Sequence, residues 1–398
     1  MKNMKAIILS AGKGSRLAPL TINRPKPSLK VADKRIIEHN LDQLNGLIDE
    51  AIIVVGYKSE SIKDYIGENF KGIKITYVFQ KECLGTGHAA NLALDYVGDE
   101  FIIMNGDDLY ESGDIKKCIK KSPCVLAKEV EDPSPFGQFS VKDGKIVDLV
   151  EKPEKQVSNL VNVGFYFLSK DILNYDIEKS SRGEYEITDY LKNYIKKEGE
   201  LHFAIAARWY PIGYPWSLLS ANEKIMDKRS EYHEGFFDGY LDGECDIEGC
   251  ARVGEGTIIK DGVKIEGPVI IGRNCIINSG TEIKRFSVIG DGCTIYSSII
   301  DNCIIGDRNN IEAGCELRDS ITGNNCILGK NIKVFNTKEG ETIKSFVKDA
   351  EVDTGRERFG CVLGDDVEVE DDVEFYPGVK VWANKKISKG EIVKEDIK

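Results

Sequence analysis

From Gly267 onward the chain repeats itself on a fixed period, and no other feature limits its fold so tightly. Val269-Ile270-Ile271-Gly272-Arg273-Asn274-Cys275 returns eighteen residues later as Ser287-Val288-Ile289-Gly290-Asp291-Gly292-Cys293, with echoes at Ile304-Ile305-Gly306 and Ile327-Leu328-Gly329. Eighteen is three hexapeptides. An apolar residue at every sixth place, with glycine beside it, finds burial when each coil of chain lies on the one before and like residues stack. Cys275 and Cys293 fall one coil apart and read as packing residues of that stack. Residues 335–358 break the period as a charged excursion. Coils resume from 359 to about 381, including Tyr376-Pro377-Gly378-Val379.

The first half runs on other periods. Short apolar runs at 6–9, 51–55, 75–79 and 101–104 read as strands, while 36–47 and 88–96 repeat apolar residues at helical spacing. That alternation predicts an α/β domain with a mostly parallel, Rossmann-like sheet and helices on both faces. Ligands of such sheets bind beyond the carboxyl ends of the strands, where residues 10–16, 80–86 and 105–108 all fall. A helix over 216–229 closes the domain, and the polar, glycine-bearing stretch 230–248 reads as a connection. The expected organisation is therefore 1–229, a connection at 230–248, and the coiled repeat at 249–398.

Composition narrows the function. A chain of 398 residues has room for two cores. A net charge of −12 argues against nucleic acid or an anionic membrane as partner, since either asks for a basic face. Met1-Lys2-Asn3-Met4 leads directly into the first strand, and no run of eighteen apolar residues occurs, so the expectation is a cytoplasmic protein. Eleven cysteines without a CxxC pair suit reduced packing thiols. Cys245 and Cys250, with no nearby histidine and no second pair, do not make a zinc site.

Residues 6–30, AIILSAGKGSRLAPLTINRPKPSLK, join a buried-strand pattern to a glycine-rich turn, an arginine and a Pro-Lys-Pro. Gly12 and Gly14 let the backbone approach an anion and aim its N–H groups at it, with Leu9 and Ala11 leading into the turn. Arg16 and Lys26 add positive charge. A dinucleotide fingerprint would need glycine where Leu17 stands, and a Walker A loop needs Gly-Lys-Ser/Thr after a longer gap, so neither applies. The segment reads as a triphosphate cradle.

Gly12-x-Gly14-Ser15-Arg16, followed by Pro25-Lys26-Pro27, resembles the signature of the sugar-1-phosphate nucleotidylyltransferases. Gln80-x-x-x-Leu84-Gly85-Thr86-Gly87-His88-Ala89 is similar to the base-reading segment of the bifunctional N-acetylglucosamine-1-phosphate uridylyltransferase/glucosamine-1-phosphate acetyltransferase type. Asn105-Gly106-Asp107 resembles that family's metal-binding aspartate after a central strand. The eighteen-residue repeat, in turn, resembles a left-handed parallel β-helix of hexapeptide repeats. The resemblance implies in-line attack by a sugar-1-phosphate oxygen on the α-phosphorus of a nucleoside triphosphate, with pyrophosphate leaving. The protein's part is then positioning and charge neutralisation.

On this resemblance Arg16 is assigned to the leaving phosphates, Lys26 to the α-phosphate and Asp107 to Mg²⁺. Gln80, Gly85 and Thr86 are assigned to the base, where UTP or dTTP fits better than a purine nucleotide. Gly137 beside Phe136, Glu151 and Lys152 before Pro153, and Asn162 before Val163-Gly164 are assigned to the sugar, N-acetylglucosamine-1-phosphate or glucose-1-phosphate. His88 reads as part of a helix start. The chain departs from the pattern at Trp209-Tyr210-Pro211-Ile212-Gly213, where proline stands in place of a second acidic metal ligand. Backbone carbonyls, waters and Asp108 stay open as substitutes.

The bifunctional relatives acetylate an amino sugar on their β-helix, and such acyltransferases employ a histidine base. This chain has His39, His88, His202 and His233, and none beyond. The coils are accordingly expected to be an assembly module, a homotrimer favoured, without acetyl transfer. Two alternatives are a non-catalytic regulatory or scaffold homologue, for which Pro211 speaks, and an enzyme that also acetylates glucosamine-1-phosphate.

Overall fold

The computed structural model describes residues 4–180 and 182–398. The chain forms two compact units. Of the described residues, the first contains 4–13, 24–29, 35–180 and 182–211, and the second 14–23, 30–34 and 212–398. The glycine-rich segment is thus shared out, with Gly12 and Lys26 in the first unit and Gly14 and Arg16 in the second.

The first unit is built on a ten-stranded sheet. Its elements are β1 (Lys5–Ser10), α1 (Ile36–Leu44), β2 (Glu50–Val55), α2 (Glu60–Ile66), β3 (Ile73–Phe79), α3 (Thr86–Leu92) and β4 (Glu100–Asn105). There follow α4 (Ser112–Cys118), β5 (Cys124–Glu129), β6 (Gln138–Lys142), β7 (Lys145–Val150), β8 (Leu160–Ser169), α5 (Ile187–Glu198) and β9 (His202–Ile205). The strand order is β7-β6-β8-β4-β1-β2-β3, with residues 69–70 at the far edge, and β5 pairs with both β8 and β9. β1 is parallel to β2 and to β4, and β2 to β3, whereas β8 runs antiparallel to β4. The sheet is therefore mixed, with its parallel part where the sequence places it.

Both faces of the parallel strands are apolar because helices cover both. Ala6 and Ile8 of β1 pack with Ile37 and Leu41 of α1 and Ile115 of α4. Ile7 and Leu9, pointing the other way, pack with Ala89 and Ala90 of α3 and Leu191 of α5. The helix expected over 36–47 ends at Leu44, where Asn45 turns to an extended backbone and its N–H bonds Asp42 O. The helix expected over 88–96 begins earlier, at Thr86, and closes with a separate short 3₁₀ turn at Leu94–Tyr96.

In the second unit, helix α6 (Pro215–Lys228) has proline at its first position, where the missing N–H costs nothing. The remainder is a left-handed parallel β-helix of three eight-stranded walls. Register follows the repeat: Ile270 pairs with Val288, Val288 with Ile304, Ile304 with Ile321, and Ile321 with Val362 across the excursion. The inward side chains, among them Ile271, Cys275, Ile289, Cys293, Cys315, Cys326 and Phe375, form one core. One corner of the prism stacks Asn274, Asn325, Asp366 and Asn384, all at positive φ, the conformation that short polar side chains tolerate best.

The stretch 230–248, which the sequence presents as a connection, carries the first strand of each wall at Phe236–Phe237, Tyr240–Asp242 and Asp246–Glu248. Its hexapeptide pattern is faint because this end coil has a neighbour on one side only, and Phe236 and Tyr240 stay exposed. The excursion contains an antiparallel hairpin, Lys344–Val347 with Ala350–Asp353. Strands continue past 381 to Ile392–Val393.

Stacked burial predicts a sharp contrast. Ile289 is enclosed in the prism, and Ile327, on an outer wall, is 52% exposed. Ile289→Ala should destabilise by about 2–5 kcal/mol, whereas Ile327→Ala should change stability by less than about 0.5 kcal/mol. Urea unfolding of the two variants decides this, and similar losses would refute the packing.

Candidate active site

Within the first unit the ends of β1, β3 and β4 carry the predicted residues to one edge of the sheet. β1 ends in Leu9-Ser10, from which the chain passes through Ala11 to Gly12. Gly106, just past β4, donates its N–H to Leu9 O at 2.9 Å. A Cβ at Gly106 would lie 2.1 Å from Ser10 Oγ, so only glycine permits this approach of β4 to β1. Ser10 Oγ is enclosed and has no hydrogen-bond partner among the described residues.

Asp107 and Asp108 follow at the end of β4. Lys26 Nζ lies 2.9 Å from Asp107 Oδ2 and 3.4 Å from Asp108 Oδ1. The lysine and Asp108 are largely buried, while Asp107 is 42% exposed. The ammonium is thus held by two carboxylates, of which Asp107 also faces outward. Asn40 of α1 donates to Asp108 O at 2.9 Å and fixes the turn from behind.

The donor set suits a hard divalent cation. No group of three or more His, Cys, Asp and Glu side chains is arranged to hold a metal among the described residues. What fits is a site of one or two carboxylates completed by water and phosphate oxygens, the arrangement Mg²⁺ prefers. The segment carrying Trp209 and Pro211 lies beside this turn, since Leu109 and Tyr210 exchange two backbone hydrogen bonds of 3.1 Å. With proline at 211, that segment brings no carboxylate there.

The base segment is knitted to the start of α5. Tyr185 donates its N–H to Leu84 O, and Gly87 donates to Tyr185 O, each at 2.8 Å. Gly85 sits at φ +106, and a Cβ there would fall 2.4 Å from Tyr185 O. Thr86 Oγ1 accepts from Ile187 N at 3.2 Å, which caps α5. Gln80, just after β3, is almost fully buried and donates from Nε2 to Gly85 O.

The candidate sugar residues also meet. Asn162 donates its N–H to Gly137 O at 2.8 Å, and a Cβ at Gly137 would lie 2.7 Å from Glu151 Oε2. Asn162 Nδ2 donates to Tyr166 OH at 2.8 Å, and its Oδ1 accepts from Gly164 N. Burial pushes the Glu151 carboxyl up; Lys152 holds it back, Glu186 adds to the rise, and Arg182 opposes it. Arg182 pairs with Glu186 and lies 3.6 Å from Glu151.

Residues 9–12, Lys26, Gln80, Gly85, Thr86, Asp107, Gly137, Glu151, Lys152 and Asn162 therefore all belong to the first unit. Gly14 and Arg16 belong to the second, where the Arg16 guanidinium lies 5.3 Å from the Tyr214 ring centroid. Arg182, Tyr185 and Glu186 escaped the sequence reading. The available signal was Glu184-Tyr185-Glu186 immediately before an amphipathic helix, which puts an acid at the N-cap.

Comparison with known proteins adds to this geometry. Residues 5–228 match the model of the nucleotidyl transferase family, and residues 247–397 match the GMPPB C-terminal domain. The chain is 38% identical to the bifunctional protein GlmU of Methanocaldococcus jannaschii, over 99% of this chain and 96% of that one. It is 33% identical to the UTP–glucose-1-phosphate uridylyltransferase AglF of Haloferax volcanii, over 58% of this chain and 100% of the relative. A solved structure of a putative glucose-1-phosphate thymidylyltransferase from Bacillus anthracis superposes with a TM-score of 0.52 at 30% identity, covering 57% of this chain and 96% of that one. No helix among the described residues is long and apolar enough to cross a membrane.

The contact of Gly85 with Tyr185 gives a test. Gly85→Ala forces a methyl group into a backbone carbonyl at positive φ, at an expected cost of about 2 kcal/mol or more. Gly144→Ala, at φ +73 with open space around it, should cost about 1 kcal/mol. Equal unfolding midpoints for the two variants would contradict the packing of the 84–88 segment on α5.

Proposed function

Because the chain belongs to the nucleotidyl transferase family and transfers nucleotidyl groups to sugar-1-phosphates, we propose that it uses UTP or dTTP with N-acetylglucosamine-1-phosphate or glucose-1-phosphate. The products are a nucleotide sugar and pyrophosphate. The observation that carries this reading is the Lys26–Asp107–Asp108 cluster at the edge where β1 and β4 end beside the phosphate-type turn.

The nucleophile is already ionised at neutral pH, so no general base is needed. Catalysis is the neutralisation and alignment of phosphates. Lys26 is held in place by its two carboxylates, and its role is to lean on the α-phosphate as charge shifts there. Asp107 would hold Mg²⁺, with Asp108 available as a second oxygen donor. That ion supplies charge neutralisation to the phosphates when bound. Leu9, Ala11 and Gly12 offer main-chain groups to the nucleotide. Gly14 and Arg16 are assigned to it on their motif, Arg16 to the leaving phosphates. Gly137, Glu151, Lys152 and Asn162 are assigned to the sugar on their motifs and mutual contacts. The role of the β-helix, whose first coil lies within 230–248, as a trimer-forming assembly module belongs to the same reading.

Full-length similarity to a bifunctional relative supports a second reading, in which the coils also acetylate glucosamine-1-phosphate. The absence of histidine after His233 weighs against it. Acetyl-CoA-dependent thiol release with glucosamine-1-phosphate separates the two readings.

Lys26→Ala and Asp107→Ala should each lower pyrophosphate release by about 10² to 10³ with the fold retained. A chelator should abolish turnover and added Mg²⁺ restore it. Near wild-type turnover in either folded variant removes that residue from the chemistry, and a preference for ATP or GTP across the four triphosphates overturns the pyrimidine reading.

A further inference from the structure

Gln80 is the polar side chain of the base segment whose two ends can be told apart by what faces them. Its N–H is tied to Val55 O at 2.8 Å, which anchors the residue at the sheet edge. Its side-chain nitrogen lies 3.2 Å from Gly85 O and 2.9 Å from His88 Nδ1. A backbone carbonyl can only accept, so the end of the amide against Gly85 must be the nitrogen. The same NH₂ group then spends its second hydrogen on His88. His88 Nδ1 is thereby an acceptor, which puts the imidazole's proton on Nε2. Both hydrogens are used, and Oε1 points elsewhere with no partner among the described residues.

We propose that His88 is a positioning residue for base selection: with Gly85 it locks the Gln80 amide so that Oε1, a pure acceptor, is the atom offered to the base. Uracil and thymine carry a hydrogen on N3 and can donate to such an atom. Cytosine carries a lone pair there and cannot. His88 itself touches no substrate, and it acts through Gln80. The inference rests on the pyrimidine reading above and sharpens it, since an amide free to turn would accept either base by presenting whichever end suits. Gly85 sets the sense of the amide, since a flipped side chain would put oxygen against its carbonyl, and His88 with its proton on Nε2 engages the second hydrogen in the same sense.

The test is the ratio of kcat/KM for UTP to that for CTP, in the full-length enzyme. His88→Ala deletes one lock and strands one amide hydrogen, so the ratio should fall about five- to tenfold. His88→Asn places a carbonyl oxygen near the Nδ1 position and should restore the ratio. A purely structural histidine would instead raise KM for both nucleotides alike and leave the ratio unmoved. An unchanged ratio in His88→Ala, or no recovery in a folded His88→Asn, overturns the inference while leaving the enzyme's reaction intact. A wild-type enzyme that uses CTP as readily as UTP, or prefers a purine, defeats the underlying pyrimidine reading instead.

Discussion

The parallel pairing of β1 with β2 on one side and β4 on the other is the constraint on which the first unit depends. It buries Ala6, Ile7 and Ile8 completely and aligns three chain reversals at one edge. A strand hydrogen-bonded on both sides and apolar on both faces has no freedom to slip, because a one-residue shift would exchange the sets of side chains facing α1 and α3. The turn after β1, Gln80 after β3 and Asp107 after β4 inherit their positions from that rigidity. Gly106 is where the constraint is tightest, since its backbone rests on Ser10 and Leu9 with no space for a side chain.

Charge placement follows from the same edge. A lysine as buried as Lys26 is costly unless paired, and removing one partner of such a pair leaves the other uncompensated. Asp108, enclosed and with its backbone carbonyl held by Asn40, is the more buried partner, while Asp107 is 42% exposed. Lys26, Asp107 and Asp108 together carry one net negative charge, so on the proposed reading it is a cation held by Asp107 that would let this edge meet phosphate. The local field matters at about 3 Å; the overall charge of −12 acts over distances at which salt screens it.

Much of this was legible in the chain because period is the most direct imprint of packing. The strands β1, β2, β3 and β4 are short runs of aliphatic residues, and the β-helix is a repeat that stacks on itself. What stayed hidden has physical reasons. The first coil, 236–248, lacks a neighbour beneath it, so its side chains were not selected for burial on the sixfold pattern. The dependence of Gly85 and Thr86 on Tyr185 and Glu186 joins positions about a hundred residues apart, which no local pattern encodes. The Gln80–His88 contact is shorter in range, yet a histidine at a helix start gives no sign of which ring nitrogen will accept.

The thiols of the prism bear on what the coils can do. Transfer to an amine needs a group that takes up a proton near neutrality, and without histidine the next candidate by ordinary acidity is cysteine. Burial pushes Cys315 up to about 11 and both Cys326 and Cys361 up to about 12. Cys303, wholly enclosed, is driven well above its ordinary value for the same reason. These side chains lie inside the prism and stay protonated, so they serve the stack as small apolar residues. Cys275 goes the other way, held below its ordinary value by its hydrogen bond with Cys293, yet it is as enclosed as the rest, so the outer walls are the surface through which the coils meet other molecules, which on the proposed reading favours a β-helix that assembles.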